Sequence, residues 1–470
     1  MKCVVAATLL CLTLFASAWA TEPPPVVHSA VGQTMRTPGG KVTLTCVGKK
    51  QHYAGGDTLS RDTDVVSPKS VNFHPDGTRF YINSLEGCKT VVYDARTGAK
   101  RAVINHRFSK GYGPLWNPPS GYYRFTHYPG GDSLPFQGKP VESTFSHGGR
   151  YLWVPYYRRT FDINAQDPSA IAVIDTRADT ICRMLPTGPL PKMVTVSHDG
   201  KLVAVTHWGD NTVGLVDVSD ADPRRWHHLP PVVVDHKLSL NFSLETSVDR
   251  DEASGLRLRG TAFTPDDRYL LVGCMGGEGI AVIDVAQKLC IGKIDGIFNV
   301  RHMLIDGKYL YASINVAGLV CRVPLDNLFN AIEHRNGTHI NVAGWQQCQV
   351  GMGARTIELS PDGNWIFAAC NDASALYVID ARSMTVAGHL AVDSYPVGLG
   401  LSPDGCLLVT TSQGKQGQGG NAVNMFRVDY ATMAAGDTEH STQHSFWAKN
   451  KIWGYYMAAL AVILLGVLLL

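Results

Sequence analysis

The chain has 470 residues, 45% of them hydrophobic, and 42 Lys plus Arg against 40 Asp plus Glu give a formal net charge of +2. That composition supports a large buried core and excludes wholesale disorder. It also excludes a global electrostatic field of the kind that gathers nucleic acid or anionic membrane, so any charge-based recognition is local.

In chain order, residues 1–20 read as a secretory signal peptide: Lys2 is the positive leader, Cys3 to Phe15 is apolar, and Ala18-Trp19-Ala20 offers small residues for cleavage. The bulky Leu9 and Leu10 argue against lipidation at Cys11. Lys41 to Cys46 then alternates like a strand, free to join a later sheet.

From about residue 66 one unit recurs: an apolar strand, a Ser-Pro-Asp-Gly-type turn, a second apolar strand and a third strand ending in Asp. The turns are at 74–77, 146–149, 197–200, 264–267, 360–363 and 402–405, with Ile305-Asp306-Gly307 as a shortened copy. Pro presets φ, Asp caps through its side chain and Gly accepts positive φ, so each reads as a hairpin. The third strands end at Asp94, Asp175, Asp217, Asp284, Asp326, Asp380 and Asp429, with Val323-Pro324-Leu325-Asp326 the weakest. Seven such units, each able to bury its apolar faces only against neighbours, predict an all-β, seven-bladed β-propeller over residues 21–430. Uneven Asp spacing marks three insertions, at about 105–139 (aromatic), 219–256 (charged) and 327–353.

Residues 431–451 are a polar linker. Ile452 to Leu470 carries no charge and spans a hydrocarbon core of about 30 Å at about 1.5 Å per residue, so it reads as a transmembrane helix behind Lys449, Lys451, Trp453, Tyr455 and Tyr456. A lipid-anchor signal cleaved near Gly436 or Ser441 is the alternative reading. Either way the membrane is one partner, and the body is expected on the extracytoplasmic side of the cell envelope.

Without Cys3 and Cys11, nine cysteines remain, none in Cys-x-x-Cys or Cys-x-x-Cys-His spacing, which disfavours zinc clusters and covalent haem. Most are expected in buried strands, with one or two disulfides. No His-Glu-x-x-His, Gly-x-Ser-x-Gly or P-loop pattern occurs.

The repeat of apolar strand, Ser-Pro-Asp-Gly turn, Tyr-Val-like strand and Val-Ile-Asp resembles the YVTN-type seven-bladed propellers over about Val66 to Tyr430. That resemblance implies the fold. It leaves the activity open, because the superfamily includes surface-layer proteins, nucleic-acid binders, lactonases and haem-binding propellers of nitrite reductases.

Aligned on their turns, the units place Lys69, Val141, Lys192, Arg259, Arg301, Arg355 and Val397 at the start of each innermost strand. Five cations at one level of a ring repel one another unless carboxylates or a bound anion compensate. Glu142 and Asp64 are the nearby carboxylates. His302 follows Arg301, and His207 ends a second strand beside Trp208; both are expected near the axis as ligands or acid-base groups. In Tyr156-Tyr157-Arg158-Arg159, Arg158 is a further ligand-binding candidate and the tyrosines are expected to pack. The preferred reading is a binding or scaffolding module whose basic funnel takes an anionic small molecule or an extracytoplasmic protein. The alternatives are a lactonase-type hydrolase or a haem/tetrapyrrole-binding propeller, with no cofactor identified, and a purely structural surface protein.

Overall fold

A computed structural model describes residues 27–53, 60–108, 114–116, 120–123, 136–159, 168–239, 248–414 and 419–431. The expected signal peptide and the apolar segment 452–470 lie outside the described residues, as does nearly all of the linker. Among the described residues no helix is long and apolar enough to cross a membrane.

Seven sheets, antiparallel except for a two-residue parallel edge at His339–Ile340, form the blades of a propeller. Blade 1 runs outward through Pro68–Phe73, Arg79–Ser84, Lys89–Asp94 and Lys100–Asn105. Blades 2 to 6 begin with inner strands Thr144–Ser146, Pro191–Val196, Leu258–Phe263, Val300–Ile305 and Ala354–Leu359. Blade 7 takes Pro396–Leu401, Leu407–Ser412 and Ala422–Tyr430 from the end of the described chain and Val42–Gln51 from its start. Thr43 pairs with Asp429 and Gln51 with Ala422, so the early strand closes the ring. Closure removes the edges that an open row of blades would leave.

The repeated residues explain themselves locally. In the turn of blade 6, Ser360 Oγ donates to Asp362 Oδ1 at 2.5 Å, Asn364 N donates to the same oxygen at 3.0 Å, and Gly363 takes φ 70°. Asp267 stands in the glycine position of blade 4 and adopts φ 54° there. The strand-ending Asp380 accepts from Arg382 N and Ser383 N, and Asp94 accepts from Arg96 N and Thr97 N, so each caps the next turn. Asp326 departs from the pattern: its strand ends at Pro324, and a helix, Leu325–Glu333, places Asp326 in the first turn.

Each blade interface carries its own hydrophobic cluster, seven in all around the ring. Second strands are therefore buried on both faces, as in Trp365–Cys370, whereas the outer strand Thr385–Ala391 is mostly exposed. The second and third insertions are not plain loops. They supply the outer strands His227–Val233 and Gln346–Gln349, because an outer strand needs only one partner and tolerates a long approach. The expected disulfides do not form among the described residues. The nine cysteines are free thiols, and Cys46, Cys274, Cys321, Cys348 and Cys370 fill core positions in strands of four blades, Cys321 and Cys348 sharing one.

Candidate functional site: a basic axial cavity

The inner strands share a local irregularity at their first residues. The pairing register shifts between Pro68 and Val71, Pro191 and Val194, Leu258 and Thr261, Val300 and His302, and Ala354 and Ile357. Immediately before these strands stand Ser67, Leu190, Arg257 and Asn299, all with φ between 48° and 52°, and Gly353 with φ 77°. A bulge of this kind leaves one residue out of the ladder and re-aims its side chain. The residue re-aimed is the basic one: Lys69, Lys192, Arg259, Arg301 or Arg355. Positive φ at non-glycine positions is backbone strain repeated at the same level of the ring.

Hydroxyls from the preceding blade hold this level in place. Thr411 Oγ1 donates to Lys69 O at 2.9 Å, Thr206 Oγ1 to Arg259 O at 3.2 Å and Ser313 Oγ to Arg355 O at 2.6 Å. At the blade 1 to blade 2 junction Asn83 Nδ2 does the same for Glu142 O at 3.1 Å. Each donor is the penultimate residue of a second strand, a repeated signal that lies outside the turns.

The five cations converge on one axial cavity of about 270 Å³, shared with Val141, Tyr157, Trp208, Asp251, Tyr395 and Gln413. Two carboxylates answer them directly. Glu142 Oε1 accepts from Arg259 Nη2 at 2.5 Å, and Asp251 lies 3.5 Å from Lys192. Burial works to raise the Asp251 carboxyl, but Lys192, Tyr157 and Arg158 outweigh it and hold it below its ordinary value. Lys192 Nζ also sits 3.5 Å from the Tyr157 ring centre and 4.5 Å from that of Trp208. Asp372 acts on Arg355 from farther away.

These partners do not saturate the cations. Arg259 Nε, Arg301 Nε and Arg355 Nη2 are buried with no hydrogen-bond partner among the described residues, and Arg301 Nη1 reaches only the weak acceptor Met275 Sδ at 3.1 Å. Burial, Arg259 and Arg355 work against the Arg301 cation, and burial with Arg259 pushes Arg355 down to about 10. Arginine does not discharge such stress by losing its proton near neutral pH; it favours an anion. Burial and the four neighbouring cations also drive Lys69 well below its ordinary value.

The remaining candidates lie elsewhere. Arg158 does not line the cavity; it lies 3.4 Å from Asp249 and 3.3 Å from Asp251 and so braces the acid that does. His207 is not axial either. It lies fully buried in blade 3, where Nε2 accepts from Gly188 N and Nδ1 bonds Thr212 Oγ1 at 2.8 Å, and burial pushes its pKa down to about 3. The alternation of its strand turns that ring away from the channel. His302 stands one residue past the lining. Its Nδ1 accepts from Ile357 N at 3.4 Å, and burial, opposed by Glu142 and aided by Arg259 and Arg301, pushes it down to about 4. Among the described residues no three His, Cys, Asp or Glu side chains gather as a metal site. Tyr156 packs with His106 as expected, whereas Tyr157 faces the cavity. Asp251 and Tyr395 were not anticipated: the first arrives from the charged insertion, and the second precedes an inner strand with φ 60°.

Fold and site together define a seven-bladed β-propeller with a cationic axial cavity, an architecture suited to binding or scaffolding. No protein-family model matches the chain, and no curated protein matches it in sequence. Among solved structures it is similar to Kuenenia stuttgartiensis hydrazine synthase, with a TM-score of 0.54 at 14% identity over 80% of this chain and 99% of that one. It is also similar to the β-propeller domain of Myceliophteria thermophila Cps50 (Swd1), with a TM-score of 0.52 at 13% identity over 77% of this chain and 96% of that one. Likeness at these identities carries the fold alone.

Proposed function

We propose that this chain is an exported, membrane-tethered propeller of the YVTN type that binds a small anion in its axial cavity. The observation that carries the reading is the set of buried, unpartnered guanidinium N–H groups of Arg259, Arg301 and Arg355 around one opening. A buried donor without a partner costs about 1–3 kcal/mol, a deficit that a carboxylate, sulfate or phosphate oxygen removes. The leader-like residues 1–20 and the uncharged residues 452–470 support the envelope location. Calorimetric titration of the purified chain with sulfate and with phosphate tests the site. Wild type is expected to bind, and the R301Q/R355Q double variant to lose about 100-fold in affinity. Equal affinity in both proteins removes the reading.

A hydrolytic reading remains second, favoured by the electrostatic influence of Glu142 on the His302 ring beside the cavity. Lactone hydrolysis abolished by H302A is its expected signature. A tetrapyrrole reading has less support, because both His207 nitrogens are already engaged.

A further inference from the structure

The five cations are not chemically equivalent. Arg259, Arg301 and Arg355 stay charged near neutral pH and can only hold a ligand. Lys192 is engaged on three sides, by Asp251 at 3.5 Å and by the faces of Tyr157 and Trp208. Lys69 has none of this. Its backbone carbonyl is clasped by Thr411, yet among the described residues its Nζ has no ion pair, hydrogen bond or aromatic face. The charges acting most strongly on it are Arg355, Arg259, Arg301 and Lys192, all of its own sign. An ammonium enclosed by four other cations and no carboxylate of its own is the group in the cavity whose charged form is least supported. An amine in that setting keeps its lone pair, the condition under which a lysine acts as a nucleophile.

We infer that Lys69 is a reactive amine that forms an imine with a small carbonyl-bearing carboxylate, a 2-oxo acid, held by Arg301 and Arg355 in the axial cavity. This rests on the anion-binding reading of the same site and names its ligand class. The carboxylate supplies the acceptor oxygens that the buried guanidinium donors lack, and the adjacent ketone carbon is then presented to Nζ. The Nζ lone pair attacks that carbon, a C–N bond forms, and the carbonyl oxygen becomes a hydroxyl. That hydroxyl carries one of the two amine hydrogens; its loss with the remaining one releases one water and leaves the C=N bond. No oxidant or reductant is consumed. A cavity of about 270 Å³ has room for a small 2-oxo acid.

Trapping tests the inference in the full-length chain held in detergent. The protein is incubated with pyruvate and sodium cyanoborohydride, which reduces an imine to a stable secondary amine, and is then mapped by peptide mass spectrometry. One reduced pyruvate unit is expected on Lys69, formed roughly tenfold faster than on an exposed lysine such as Lys201. It should be lost in K69R, slowed by excess sulfate and unchanged at Lys69 in K201R. Because K69R keeps the hydrogen-bond donors and nearly the length but cannot form an imine, loss of the adduct with sulfate affinity retained or raised separates chemistry from misfolding. Sulfate or pyruvate binding without an adduct at Lys69, or labelling spread evenly over surface lysines, overturns the lysine chemistry and leaves the anion site standing. Failure of both binding and labelling overturns both.

Discussion

Two regions of this propeller gather lysine and acid side chains, and they do so to opposite ends. At blade 1, Lys89 meets Asp64 at 2.6 Å, while Lys100 meets Asp62 at 2.8 Å and Asp64 at 2.7 Å. Tyr93 donates to the second Asp62 oxygen at 2.8 Å. Every charge there has a partner of opposite sign. At the axial cavity five cations face Asp251 and Glu142, and three guanidinium groups keep a buried N–H unmet. The first region is complete as folded; the second is completed by an anion. A cluster of charges becomes a candidate binding site through what its groups lack, not through their number.

The largest expected effect lies on the complete side. Asp62 is nearly buried and serves Lys100, Tyr93 and the backbone N–H of Asp64, so D62A strands several groups at once. Urea unfolding should show a loss of about 3–5 kcal/mol, and sulfate should stabilise the variant no more than it stabilises wild type. A sulfate increment larger than that of wild type would erase the distinction between the regions.

An intermediate effect lies at the axial cavity. E142Q removes the carboxylate facing Arg259 and leaves a second N–H of that guanidinium under-satisfied, with an expected loss of about 2 kcal/mol in anion-free buffer. Sulfate at about a hundred times its dissociation constant stabilises a folded protein by about 2.7 kcal/mol, and tighter binding to E142Q should make its melting-temperature gain exceed that of wild type. Equal gains would mean that Arg259 does not face the anion.

The ring was legible in the sequence because its signals are local. Each Ser-Pro-Asp-Gly turn and each strand-ending Asp acts within about five residues, and seven copies reinforce one another. The level of the basic column was also legible, since aligning turns fixes position along each inner strand. Side-chain direction was not. Lys69 and its counterparts point inward because a bulge displaces them, and His207 points away because it faces that break from the unbulged strand and stays in regular register with Thr212. Asp251 was hidden for a different reason. Its place depends on how a long insertion returns to the axis, and no short-range pattern encodes that return.

The smallest effect probes the channel beyond the mouth. The inner strand Ala354–Leu359 presents Arg355 to the cavity and, three residues later, Glu358, whose carboxyl burial raises to about 8 from its ordinary 4.5. Among the described residues no cation opposes that shift. A carboxyl whose folded pKa exceeds its unfolded pKa makes the folded state bind more protons between the two values. Its contribution to stability is fully present below about pH 4.5 and falls as pH rises through about 8. Wild type should therefore lose stability relative to E358Q across that window, by on the order of 1 kcal/mol at pH 8 once partial solvent access is allowed for. Unfolding free energies of both proteins at pH 5 and pH 8 isolate the effect, because other titrations cancel in the difference. A constant difference between those pH values would place a cation beside Glu358 and carry the positive field of the mouth down the channel.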